Sequence, residues 1–179
     1  MREGRLASLS DDDRVRFEMI KREPAPYLSV IREKYPDGAV APLAGDVSAA
    51  GAFITTATVL GEVTDPSALD LVEAWWLELD AAPSTGAPPV LAPTLERMQH
   101  ATLSALGARP RDRVVSRILD QLERMDRGKR VDSLQYLMRS SEGNAEVIRR
   151  LRAIHDAPAS PLHGDRDLAN AIARLSGAR

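Results

Sequence analysis

The chain has no cysteine among its 179 residues, which removes disulfides, thiolate metal ligation and thiol chemistry together. Aromatic residues are only 4% of the chain. No apolar run reaches the length of about 18 residues that a bilayer span needs, and MREGRLASLSDDD lacks the continuous apolar stretch of a secretory leader. Charge of one sign is missing too. The 24 basic and 26 acidic residues leave a formal charge of −2, so attraction of the whole molecule to nucleic acid or a membrane surface is not expected. Lysine is scarce beside arginine, 3 against 21, a bias that coding composition explains as well as guanidinium chemistry does. These absences point to a cytoplasmic protein. With 44% hydrophobic and 28% charged residues, the chain has ordinary globular composition and enough apolar material for one core.

Helix signals cover most of the length. Ser10 with Asp13 three residues on resembles a capping box, and Val15, Met19 and Ile20 follow at helical spacing before Pro24. Leu28, Ile31 and Tyr35 share a face of the next segment, and Pro36-Asp37-Gly38 reads as a turn. Asp46 is a candidate cap for VSAAGAFITTATVLGEV, which carries no charge from Val47 to Gly61. Periodicity does not separate strand from helix there. A buried helix is preferred, because no second convincing strand exists to pair with it. Asp65-Pro66 is a cap and first-turn pair opening SALDLVEAWWLELDAA. At roughly 100° per residue, Leu69, Leu71, Val72, Trp75, Trp76 and Leu79 occupy one arc about 160° wide, with Asp70, Glu73, Glu78 and Asp80 on the remainder. The segment is therefore the expected core helix, with both indoles facing inward or toward a partner.

Residues 82–93 hold a proline-rich loop, the one candidate internal linker in a single domain. Helices are then predicted from Pro93 to Leu106 with Gly107 as stop, from Pro110 to Arg127 with Gly128 as stop, from Arg130 to Arg139, and from Asn144 to Asp156. After the loop APASPLHG, a last helix aligns Leu168, Ile172 and Leu175. No internal repeat of fixed period is present. The fold class is all-α, a compact bundle of roughly seven or eight helices.

Charge is segregated along the chain. Residues 51–100 contain seven acids and one base, and residues 101–156 contain twelve bases and eight acids. Either the acidic and basic segments meet within the fold, or the basic segment RPRDRVVSRILDQLERMDRGKR offers Arg117 and Arg124 to an anionic partner. Four acids interleaved among its eight bases argue against a phosphate-backbone surface. Leu134 to Ile154 has helix-turn-helix length with Gly143 in the turn, but Arg139 and Arg149 stand where such a motif buries apolar residues, so DNA binding ranks third among the functional readings.

Three local patterns could carry chemistry. His163-Gly164-Asp165 followed by Asn170 resembles the catalytic loop of aminoglycoside-phosphotransferase-type kinases, which implies Asp165 as base and Asn170 as a magnesium ligand. Only nine residues follow Asn170, and no glycine-rich phosphate loop or strand-borne lysine accompanies it, so Asp165 is read instead as the cap of the last helix. Glu96 and His100, one helical turn apart, could share a metal ion that His155 completes. Ser48, Thr55, Thr56 and Thr58 place hydroxyls on an apolar segment and, beside Trp75 or Trp76, could line a pocket; bonding back to their own helix is the competing assignment. Two readings of function lead. The first is a non-catalytic helical protein acting by interaction with a protein partner or as a homodimer, with Trp75 or Trp76 at the contact and no cofactor. The second is a small enzyme or ligand-binding protein for an apolar metabolite, with a metal ion at Glu96, His100 and His155.

Overall fold

The computed structural model describes residues 11–35, 47–82 and 92–177. The expected Ser10 and Asp46 caps, the turn at Pro36-Asp37-Gly38, most of the proline-rich loop and the Ser48 side chain lie outside the described residues. The elements are α1 (Asp11–Arg22), α2 (Pro24–Lys34), α3 (Val47–Glu62), α4 (Pro66–Ala81), α5 (Ala92–Leu106), α6 (Asp112–Gln121) with a 3-10 turn at Leu122–Arg124, α7 (Arg127–Ser140), α8 (Ala145–Asp156) and α9 (Arg166–Leu175). Among the described residues there are nine α-helices and no strand, and none of these helices is long and apolar enough to cross a membrane.

Helix starts follow from short polar side chains that take up otherwise unpaired amide N–H groups. Asp65 accepts from Ser67 N at 2.7 Å ahead of Pro66, Asp126 from Lys129 N at 2.9 Å, and Asp165 from Leu168 N at 2.9 Å. Asn144 takes two such donors, Glu146 N and Val147 N, both at 3.1 Å. The segment 47–62, uncharged before Glu62, is a helix, α3, as preferred. One expected helix is broken. Residues 110–127 do not run through to Gly128; α6 ends at Gln121, the chain tightens into the 3-10 turn, and Gly128 sits in the first turn of α7 behind the Asp126 cap.

The centre of the molecule is α5, which packs most extensively on α3, then on α4, and also meets α7. A methyl group on Gly61 would stand 2.7 Å from the Ala105 Cα and carbonyl oxygen, so the α3–α5 approach requires glycine there. Gly107 closes α5 with φ 64°, and Arg109 turns back to donate to carbonyls at the end of α3 and just past it, Gly61 O at 2.5 Å and Val63 O at 3.2 Å. Trp75, Phe53 and Tyr35 form a three-ring cluster whose centroids lie 4.7 to 5.7 Å apart, mostly edge to face. Tyr35 arrives with Leu28 and Ile31 on the buried side of α2, as their spacing predicts. Leu168 and Leu175 of α9 are buried against α7 and α8.

Candidate functional site

A cavity of about 110 Å³ lies between the end of α4, the middle of α5 and the first turns of α7. Its apolar walls are Trp76 and Leu103. Helical spacing puts Glu96, His100 and Leu103 on one face of α5, and Lys129, Asp132 and Ser133 on one face of α7, so the two helices present these rows to the same space. His100 Nδ1 and Asp132 Oδ2 are 2.8 Å apart across the mouth, where both side chains keep solvent contact. A carboxylate only accepts, so Nδ1 is the donor of this bond. Gln99, buried behind them, donates Nε2 to Leu79 O at 2.7 Å and ties α5 to the last turn of α4.

One lining residue carries an unsatisfied hydroxyl. Ser133 is 1% exposed, and its Oγ has no hydrogen-bond partner among the described residues. A buried hydroxyl left in that state costs about 1 to 3 kcal/mol relative to a satisfied one. Beside it, Lys129 does not face the cavity as a free charge, because its Nζ lies 2.7 Å from Asp80 Oδ1. Arg117 Nε is 2.6 Å from the other oxygen, Asp80 Oδ2. With its amide oriented so that nitrogen donates, Gln121 also reaches Asp80 Oδ2 at 3.0 Å while its oxygen accepts from Arg117. The Asp80 side chain is completely buried, and this corrects its assignment to the outer face of α4. By helical geometry Asp80 lies only about 40° round the helix from Trp76, at the edge of the apolar arc.

The expected site residues are distributed as follows. Trp76 joins the cavity wall, whereas Trp75 is enclosed by Phe53 and Tyr35; each is 1% exposed, so neither indole forms a surface contact patch on the folded chain. Thr55 lies on the exposed side of α3, and its hydroxyl donates to Gly51 O at 3.1 Å. Thr56 and Thr58 likewise bond back to Ala52 O and Ile54 O, both at 2.8 Å, so these three threonine hydroxyls serve their own helix and do not line the cavity. Arg117 is committed to Asp80, and Arg124 is exposed in the 3-10 turn.

Glu96 and His100 meet at the cavity, but His155 does not join them. It stands on α8, with Nδ1 2.8 Å from its neighbour Asp156, and its carbonyl accepts from Gly164 N at 3.1 Å. Among the described residues no three histidine or carboxylate side chains are grouped to hold a metal ion, so the Glu96–His100–His155 centre is not formed. The physical reason is placement: α8 packs on α6 and α9, away from the cavity face of α5. Asp165 is the cap of α9, as the competing assignment of the HGD sequence has it.

The acidic and basic segments meet inside the molecule. Besides the Asp80 cluster, Arg111 pairs with Asp70 and, at 3.0 Å, with Glu73, which joins α4 to the start of α6. Within the basic segment itself, Arg150 reaches Asp120 at 2.7 Å, and Arg149 forms a two-pronged pair with Glu146 on its own helix. Sequence reasoning missed Ser133 and Asp132 as cavity residues, and their only local signal is the spacing that places them with Lys129 on one helix face. No protein-family model, curated protein or solved structure matches the chain.

Proposed function

We propose that the protein binds a small, mostly apolar molecule carrying one hydrogen-bonding group, in the cavity between α4, α5 and α7. The observation that carries this reading is Ser133, a buried residue of the cavity lining whose hydroxyl has no hydrogen-bond partner among the described residues. A ligand group there would supply the missing hydrogen bond, while Trp76 and Leu103 take the apolar body. The volume of about 110 Å³ suits a body on the order of a single six-membered ring, since an engineered cavity of ~150 Å³ holds benzene. The reading is recognition rather than turnover. No base is hydrogen-bonded to Ser133 Oγ, so the hydroxyl is a binding group and not an activated nucleophile. The His100–Asp132 pair at the mouth offers a second polar contact at the point of entry.

Phenol and toluene are suitable probes, matched in ring and differing in the hydroxyl. Titrated against ¹⁵N-labelled protein, phenol is expected to shift the Trp76 indole N–H saturably while that of Trp75 stays in place, and toluene to bind more weakly. Ser133→Ala should weaken phenol about tenfold, the equivalent of one hydrogen bond of ~1.4 kcal/mol, and leave toluene unchanged. The variant should fold as well as the parent, because the atom removed had no partner. Absence of saturable binding by either probe, or phenol affinity indifferent to Ser133→Ala, would overturn the reading.

A further inference from the structure

Among the described residues, the large apolar side chains that stand out into solvent are Val15, Met19 and Val30, at 61, 65 and 59% exposure, and all three belong to α1 and α2. Val15 and Met19 are one turn apart and line a shallow groove with Glu18 and Arg22, the spacing of a single helix face. Ile20, on the other side of α1, packs against the core, and α1 rests chiefly on α2. The helix thus uses one side to hold its place and leaves an apolar stripe on the other.

The charge order along α1 says what fits that stripe. Its sequence DDDRVRFEMIKR begins with three acids and ends with two bases. This order suits the helix's own dipole, and it also makes the helix complementary to a reversed copy of itself. If two copies of α1 lie antiparallel about a two-fold axis at the level of residue 17, Val15 of each meets Met19 of the other. By sequence position the same register sets residue 12, an aspartate, level with Arg22 at both ends. A parallel pairing sets acid against acid instead. We propose that this face of α1 is an isologous interface with a second copy of the chain, paired antiparallel in that register. The patch is small, so the dimer is weak, with a dissociation constant on the order of 100 µM, and is a property of the concentrated protein.

Sedimentation equilibrium from 10 to 500 µM on the full chain tests it, with circular dichroism of each variant confirming the helical fold. The wild type should self-associate to a dimer and no further. Val15→Glu and Met19→Glu, both at exposed positions, should each weaken association at least tenfold. Asp12→Arg alone, or Arg22→Asp alone, places like charges opposite each other at both ends and should do the same. In an equimolar mixture of those two variants, the mixed dimer again sets a base against an acid at each end. The mixture should therefore regain association to within about threefold of wild type. A wild type that stays monomeric at 500 µM overturns the proposal and leaves the stripe to a different partner. Dimerisation untouched by Val15→Glu and Met19→Glu places the interface elsewhere and overturns it too. A mixture that fails to regain association rules out the antiparallel register.

Discussion

Helices α3, α4 and α5 are held together differently from the way α6 to α9 are held to them. In the first group the contacts are close and apolar: Gly61 against the Ala105 backbone, Trp75 against Phe53, and an α3 with no charge before Glu62. In the second group the seam with α4 is ionic. Arg111 meets Asp70 and Glu73, and Arg117 and Lys129 converge on buried Asp80. Arg130 and Arg127 of α7 continue the pattern toward Asp165 and Asp167 of α9, at 3.7 and 3.8 Å. The contrast assigns a role to the segregated charge of the sequence. Much of it is used inside the molecule, docking one set of helices onto another, and the cavity lies where the two regimes meet.

The sharpest way to break this comparison is to remove the carboxylate at the seam. Asp80→Asn leaves Arg117 and Lys129 facing each other without their counter-charge and should cost about 3 to 4 kcal/mol by urea unfolding at neutral pH. A loss below ~1 kcal/mol would show that apolar packing holds the seam as well.

The next effect appears in alkali. Burial pushes the Tyr136 phenol up to about 12, with its hydroxyl donating to Arg109 O at 3.0 Å. The folded state therefore keeps the proton that the unfolded chain releases near its ordinary value of about 10. The stabilisation is complete below pH 10 and is lost as pH rises toward 12, amounting to about 2 to 3 kcal/mol at the far end. Stability measured from pH 9 to 12 should fall more steeply for the wild type than for Tyr136→Phe, and parallel slopes would contradict this.

The smallest of the three effects belongs to the close-packed group. Gly61→Ala must push α3 from α5 and should cost about 2 kcal/mol in the same urea experiment, with no dependence on pH between 6 and 9. A neutral or stabilising outcome would mean that the α3–α5 approach is looser than its geometry.

Legibility in the sequence follows distance along the chain. The caps at Asp65, Asn144 and Asp165 can be read because a capping side chain and the amide it serves are two or three residues apart. The helix expected over 110–127 fails for a related reason. Val115, Ile118, Leu119, Leu122 and Met125 keep an apolar stripe through the 3-10 turn, since tightening one turn barely shifts which side faces in. Gly128 then looks like a stop, although Asp126 two residues earlier is the start signal. Of the cavity, the Glu96–His100 half is visible as a one-turn pair on α5. The other half, Asp132 and Ser133, comes from α7 and cannot be joined to it by spacing. Asp80 is placed outside because a wheel sorts residues by type as well as angle, and its angle puts it at the edge of the buried arc beside Trp76.

Local spacing along the sequence determined that the chain is helical, where most of its helices begin, and which side of each is apolar, because those features depend on groups within a turn or two of one another. Only the tertiary structure decided what each side meets. It enclosed Trp75 among rings, set Trp76 on a cavity wall, and turned Asp80 and Arg117 toward each other across the seam. It also left Val15 and Met19 of α1 facing water. Partners are settled by fitting all the faces together at once, and no single segment carries that information.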